Sequence, residues 1–282
     1  MPGFDLSNLP SVGETIRQHG LAPLKHYGQH FLTDPSVLDR IARAAGDLAG
    51  ATVIEIGPGP GGLTRALLAA GAGQVVAIEY DRRCVAALQP LVACSQGRLQ
   101  ILEQDALAVD VTTIGQPPRV VVANLPYNIS TALLVNWLKS ARSLQRMTLM
   151  FQKEVAERLV ARPRTKQYGR LSVLAQTFCH IRRDFNLPAG AFYPPPKVES
   201  TVVSLTPKES ALPCAPQTLE LCTRLAFGQR RKMLRASLRN WHSSIDGLLD
   251  AAGVLPTQRA EELAPEDFVR LAVVFEAMAG PG

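Results

Sequence analysis

Asn124-Leu-Pro-Tyr127 places an amide, a rigid turn and an aromatic ring directly after the apolar run 120–123. The exocyclic amino group of an aromatic base is a poor nucleophile because its lone pair is delocalised into the ring. Two acceptors, the Asn124 side-chain oxygen and the Leu125 carbonyl, can take its two N–H bonds and favour a tetrahedral nitrogen whose lone pair points at a methyl sulfonium. Leu125 and Pro126 fix the turn, and Tyr127 offers a flat face for an extruded base. In isolation such a tetrapeptide is a common surface turn. Its position after a second motif, Glu55-Ile-Gly-Pro-Gly-Pro-Gly-Gly62, favours chemistry. Gly57 and Gly59 let the backbone turn tightly and approach a ligand, and Glu79, 22 residues after Gly57, can accept from both hydroxyls of a ribose. Nicotinamide, flavin and S-adenosylmethionine sites all use this pattern, and some such loops are merely tight turns. Asp105 adds a carboxylate for an adenine amino group, or else simply caps a helix.

These residues need a scaffold that brings them to one edge. Thr52-Val-Ile-Glu-Ile56, Val75-Val-Ala-Ile78, 99–102, 120–123 and 147–151 read as strands, separated by helical stretches that include 63–70 and 130–139. Asp34 and Pro35 start a further helix with Val37, Leu38 and Ile41 on one face and Gly46 as its stop. Strands alternating with helices predict an α/β fold with a mostly parallel sheet covered on both faces. Two β-rich stretches, 171–185 and 200–205, are expected to close it with an antiparallel edge. Three prolines in 206–216 mark a linker, so the expected domains are 1–206 and a small all-helical domain over 207–282.

The 282 residues are 46% hydrophobic and 19% charged, a globular composition without an internal repeat. No apolar run reaches the roughly 18 residues of a membrane span and the first residues do not resemble a secretory signal, so a cytoplasmic protein is expected. Five cysteines, scattered and never spaced C-x-x-C, support neither disulfides nor zinc. The five histidines are equally dispersed, so no metal is expected. Net charge is +6 but uneven: residues 139–240 hold 19 Lys and Arg against 6 Asp and Glu. That separation suits a polyanion. Two clusters stand out: Arg158, Arg162, Arg164, Lys166 and Arg170 around a loop, and Arg230, Arg231, Lys232, Arg235 and Arg239. The second is expected on one helix, with Phe227, Leu234, Leu238 and Trp241 facing a core and Arg231, Arg235 and Arg239 forming a stripe.

Taken with Lys25-His-Tyr-Gly-Gln-His-Phe-Leu-Thr-Asp34, Gln104-Asp105, Gln152-Lys-Glu-Val155, Tyr168-Gly-Arg-Leu-Ser172, Ala191-Phe-Tyr-Pro-Pro-Pro-Lys-Val198 and Phe227-Gly-Gln-Arg-Arg-Lys232, the chain resembles the small-subunit ribosomal RNA adenine N6,N6-dimethyltransferases over nearly its whole length. The resemblance implies a class I methyltransferase (Rossmann-like) fold. It also implies S-adenosylmethionine as cofactor and, as partner, 16S rRNA in the small ribosomal subunit or its precursor, where two adjacent adenosines near the 3′ end are dimethylated. The expected form is a monomer. Carried over residue by residue, His30, Leu32, Gly57 and Gly59 would contact the cofactor, Glu79 its ribose and Asp105 its adenine, while Asn124 would serve cofactor and target amine. Phe192 would sandwich the target base opposite Tyr127, or else pack in the core. One departure is His30, where the family more commonly has Asn; a histidine is larger and can titrate. A DNA or large-subunit RNA adenine methyltransferase, a non-catalytic RNA-binding assembly factor and a nicotinamide dehydrogenase are the competing readings. The last lacks an evident hydride-transfer acid or base.

Overall fold

A computed structural model of the chain describes residues 8–23 and 28–279. Part of the Lys25–Asp34 motif, Lys25, His26 and Tyr27, lies outside the described residues. Contacts divide the chain into two compact units, Met1–Ala156 with Arg182–Pro207, and Glu157–Ile181 with Lys208–Gly282.

The first unit begins with helix α1 (Val12–Gln18), which opens on a capping box between Ser11 and Glu14, and a short strand β1 (Phe31–Leu32). Helix α2 (Pro35–Ala44) follows, as its Asp34 cap and Pro35 predict: Asp34 accepts from the Ser36 N–H at 2.8 Å, and Leu38, Ile41 and Ala42 are buried. Then β2 (Thr52–Ile56), α3 (Gly62–Ala69), β3 (Gln74–Glu79), α4 (Arg82–Cys94), β4 (Leu99–Glu103), β5 (Arg119–Asn124), α5 (Ser130–Leu138) and β6 (Arg146–Gln152) alternate. Next along the chain come helix α6 (Lys153–Leu159), helix α7 (Arg170–Phe178), which belongs to the second unit, and then β7 (Cys179–Leu187), β8 (Phe192–Tyr193) and β9 (Ser200–Pro207).

The main sheet runs β4-β3-β2-β5-β6-β9-β7; the first five strands are parallel and β9 is antiparallel to β6. All five residues of β2 are buried, as the central strand of a sheet covered on both faces requires. Val53, Val75, Ala77, Val120 and Val122 share a core with Leu38, Ile41, Leu67 and Leu88 from α2, α3 and α4. Their sequence neighbours Ile54, Val76 and Val121 point to the opposite face and are equally buried. The chain builds outward from β2 to β3 and β4, then returns to build β5 and β6 on the other side. Beyond the carboxyl ends of β2 and β5 lies the crevice where ligands bind in such sheets.

In the second unit α7 packs on α8 (Pro216–Gly228) and α11 (Pro265–Ala279), with α9 (Leu234–Ser237) and α10 (Ile245–Ala251) between them in sequence. Residues 170–178 are helical, not part of the β-rich stretch expected over 171–185. The Ser172 hydroxyl accepts from the Gly169 N–H at 3.1 Å, and Leu171, Val173, Leu174 and Ala175 are all buried, so helix contacts override the β-branched composition. This stretch belongs with the C-terminal helices. Tyr168 is fully buried, donates to the Leu263 carbonyl at 2.8 Å, and meets Phe227 edge-on at 6.1 Å.

The expected helix over 227–241 is also interrupted. Helix α8 ends at Gly228 and α9 starts at Leu234, because the Leu234 N–H donates to the Gln258 carbonyl and Met233 bridges Arg259 in antiparallel fashion. Leu234, Leu238 and Trp241 are buried as expected, but Arg231, Arg235 and Arg239 do not form one helix face.

Candidate active site

In the register of the sheet Ile56 is flanked by Ile78 and Ala123, so the next residues along the three strands, Gly57, Glu79 and Asn124, meet at one edge. A cavity of about 330 Å³ opens there, within the range of small-molecule sites. It gathers His30, Leu32, Gly57, Gly59, Glu79, Asp105, Asn124, Leu125, Pro126 and Tyr127. Phe192 is not among the lining residues; it is 4% exposed and packs in the aliphatic core with Leu32 and Val202. Of its two readings, core packing describes this arrangement.

The glycine loop bends because Gly57 and Gly59 have φ of +67° and +55°, a region that penalises any side chain. Gly59 has a further reason: a Cβ there would sit 3.0 Å from the Phe31 ring. The Gly59 N–H donates to Glu79 Oε2 at 3.1 Å, and the Tyr80 and Asp81 N–H groups donate to Oε1 at 2.8 and 2.9 Å. Burial pushes the Glu79 carboxyl above its usual range while those three N–H groups pull it back. Oε1 already accepts two bonds, so Oε2, with one, is the oxygen that keeps acceptor capacity for a hydroxyl. Asp81 caps α4, and against the upward pull of burial Arg83 and Gln29 hold it down at about 2.

Asp105 acts as a cap and also borders the cavity. Its Oδ1 accepts from the Leu107 N–H at 2.9 Å, capping a short turn, yet the residue is exposed on the cavity rim. Tyr80 and Leu107, 62% and 41% exposed, stand on the same rim as unusually open apolar surface. The sequence signal for Tyr80 is an aromatic residue placed directly after the strand-end acid.

Glu55 lines the cavity as well, a position the motifs do not assign. It is 1% exposed, and burial, with the nearby Glu79 charge adding to it, pushes its carboxyl up to about 8. Thr64 lies close enough to oppose that rise, but its hydroxyl makes no well-formed hydrogen bond, and Glu55 Oε2 is left without a partner. The signal was available: an acid in the middle of an otherwise apolar strand.

The lining decides between nucleoside cofactors. Glu79, Asp81 and Asp105 border the cavity together with Glu55, which its raised pKa leaves largely uncharged near neutral pH, and no Lys or Arg does among the described lining residues. Pro58 and Pro60 remove two N–H groups from the loop. An anionic pyrophosphate would meet carboxylates and few donors, whereas a nucleoside carrying a sulfonium and an ammonium meets complementary charge. The residues therefore fit S-adenosylmethionine: Glu79 would hold the ribose, Asp105 the adenine edge, and the glycine loop would let the backbone come close.

At the tetrapeptide, the Asn124 amide donates to the His30 carbonyl at 2.8 Å. A carbonyl only accepts, so this contact identifies Nδ2 and assigns Oδ1 as the amide's remaining acceptor. Tyr127 shares a 2.6 Å hydrogen bond with the Ser200 hydroxyl, and burial pushes its phenol above the usual range while Ser200 lowers it. Ser200, at the start of β9, carries no signal in a sequence read strand by strand.

In the second unit the two basic clusters meet. Arg230 pairs with Glu261 at 2.7 Å and donates to the Thr165 carbonyl at 3.2 Å, while the Arg164 N–H donates to the Glu261 carbonyl. Arg162, Arg164, Lys166, Arg231 and Lys232 are exposed around this junction, and Arg170 is instead paired with Glu220 at 2.6 Å.

The sequence profile of the family described as ribosomal RNA adenine dimethylase matches residues 23–277. The chain belongs to the ribosomal RNA adenine dimethylase family. It is 54% identical to a ribosomal RNA small subunit methyltransferase A of Paramagnetospirillum magneticum over 96% of this chain and 97% of that one. Among solved structures, a dimethyladenosine transferase from Plasmodium falciparum superposes with a TM-score of 0.73 at 30% identity, covering 86% of this chain and 96% of that one. The 23S rRNA methyltransferase ErmE gives 0.62 at 27% identity, with 87% and 99% covered. The fold is thus the Rossmann-like class I methyltransferase fold, and the family's methyl donor is S-adenosylmethionine. Among the described residues no helix is long and apolar enough to cross a membrane, and no cluster of three His, Cys, Asp or Glu could hold a metal ion.

Proposed function

We propose that the protein transfers methyl groups from S-adenosylmethionine to N6 of two adjacent adenosines in a loop near the 3′ end of 16S rRNA, giving dimethyladenosine during small-subunit biogenesis, and that it acts as a cytoplasmic monomer. The observation that carries the chemistry is the Asn124 amide, whose bond to the His30 carbonyl leaves Oδ1 to accept at the edge of an acid-lined nucleoside cavity. The substrate assignment rests on the likeness to the small-subunit methyltransferases.

When bound, S-adenosylmethionine supplies a methyl carbon on a sulfonium sulfur. Asn124 Oδ1 and the Leu125 carbonyl accept the two N6–H bonds and draw the nitrogen towards a tetrahedral shape, worth most in a site that excludes water. Tyr127 holds the extruded adenine by stacking, with Ser200 fixing its ring. Positioning replaces a strong base: the acceptors hold the N6 proton until water removes it from the alkylated nitrogen. After the first transfer a single N–H remains, so the second round engages one acceptor. The exposed cations around Arg164 and Lys232 supply contacts for the RNA backbone.

The likeness to ErmE makes a large-subunit substrate the specific alternative. Incubation of purified protein and labelled S-adenosylmethionine with undermethylated 30S particles, 23S rRNA and DNA separates the readings. Label in dimethyladenosine from 30S alone supports the proposal; label in 23S rRNA or DNA, or cofactor binding without turnover on any of them, rejects it.

A further inference from the structure

His30 makes three contacts that no cofactor ligand needs. Its backbone carbonyl accepts from the Asn124 amide at 2.8 Å. Its Nδ1 lies 2.7 Å from the Pro194 carbonyl, and its ring stacks on Tyr127 with centroids 5.6 Å apart and planes at 30°. The Pro194 carbonyl can only accept, so Nδ1 carries a proton and directs its N–H at protein rather than into the cavity. A role as donor to the cofactor, the natural carry-over from an amide at this position, is therefore already spent on protein.

The stack has a second consequence. A flat base inserted between two rings needs about 7 Å, twice a contact of about 3.5 Å, and 5.6 Å does not admit one. His30 thus backs one face of Tyr127 and leaves the other for the target. The strand pairing of Phe31 with Tyr193 sets His30 opposite Pro194, so the side-chain bond extends a backbone ladder that joins the loop before α2 to the loop before β9.

We propose that His30 is a positioning residue for the target adenine, locking the Asn124 acceptor, the Tyr127 ring and the Pro194 loop into one register, and not a side-chain ligand of the cofactor. This rests on the reaction proposed above. A displacement of about 1 Å at a reacting group can cost on the order of 100-fold in rate, so the effect falls on turnover and leaves donor binding intact.

The test compares full-length wild type, His30→Ala, His30→Asn and His30→Phe. S-adenosylmethionine binding is measured by calorimetry, folded fraction by thermal unfolding, and kcat and KM on undermethylated 30S particles. The Ala variant is expected to bind S-adenosylmethionine within about 3-fold of wild type and to lose at least about 10-fold in kcat at saturating donor and particle. Asn can return an N–H to the Pro194 carbonyl, and Phe returns only the stacked face. Each should recover part of the lost kcat, and Asn should recover more because it restores the tie between the loops. Loss of donor affinity by 10-fold or more with kcat retained overturns the proposal, as does a kcat loss no larger than the loss of folded protein. A wild type inactive on 30S but active on another nucleic acid overturns the substrate reading instead, and the same four proteins are then compared on that substrate.

Discussion

Replacing Asn124 by Asp keeps the size and the acceptor oxygen but removes the NH2, the only donor group on that side chain. In the wild type this group donates to the His30 carbonyl at 2.8 Å from a half-buried position. In the variant an anionic oxygen faces a carbonyl oxygen. An unsatisfied partly buried acceptor costs about 1–3 kcal/mol. At roughly 2–4 °C per kcal/mol for a unit of this size, the midpoint of thermal unfolding should fall by about 2–12 °C. The carboxylate turns away from the carbonyl, so the acceptor leaves its place beside N6 and methyl transfer should fall by about 100-fold or more. Calorimetric unfolding of the ligand-free protein and single-turnover methylation of 30S particles read the two effects separately. An Asp variant with unchanged midpoint and unchanged single-turnover rate refutes the reasoning, because neither the amide orientation nor the grip on His30 would then matter.

Glu55 has a folded-state pKa of about 8 against an ordinary value near 4.5. The folded protein therefore holds more protons than the unfolded chain, and stability present below about pH 4.5 is lost as pH rises to about 8. At about 1.4 kcal/mol per unit this is a few kcal/mol, so ligand-free Glu55→Gln should show a flatter pH dependence of unfolding in urea than wild type over that window; parallel curves would contradict it. Gly59→Ala places a Cβ 3.0 Å from Phe31 at a φ of +55°, and left-handed backbone costs about 1–2 kcal/mol. Calorimetry should find S-adenosylmethionine affinity down about 10-fold, and unaltered affinity would show that the loop geometry is dispensable. Tyr168→Phe leaves the buried Leu263 carbonyl without its 2.8 Å donor and should cost about 1–3 kcal/mol in denaturant unfolding; a change under half a kcal/mol would remove this bond from the account.

The cofactor side was legible because its chemistry is local: a glycine that must take positive φ, a strand-end acid and an Asn after the next strand all report position along one chain direction. What escaped was set by partners remote in sequence. Ser200 fixes Tyr127 from 73 residues away, and His30 reaches Pro194 across 164 residues. Phe192 has the residue type of a base-stacking platform, but its core neighbours decide where the ring goes. Residues 170–178 looked extended because Val173 and Thr177 favour strands, yet burial against α8 and α11 makes them helical. The basic run 229–232 has good helix formers, and the pairing of Met233 with Arg259 interrupts it. Glu55 was visible as a charge inside an apolar strand, but its missing partner appears only in three dimensions.

The central claim, that the Asn124 turn dimethylates adenine in small-subunit rRNA, is tested most directly in cells. Mass analysis of 16S rRNA nucleosides is run on a strain lacking the protein, and on that strain complemented with wild type or with Asn124→Ala. The account predicts that N6,N6-dimethyladenosine disappears on deletion, returns with wild type and stays absent with a stably expressed Asn124→Ala protein. Dimethyladenosine persisting in the deletion strain, or restored in full by Asn124→Ala, would contradict it.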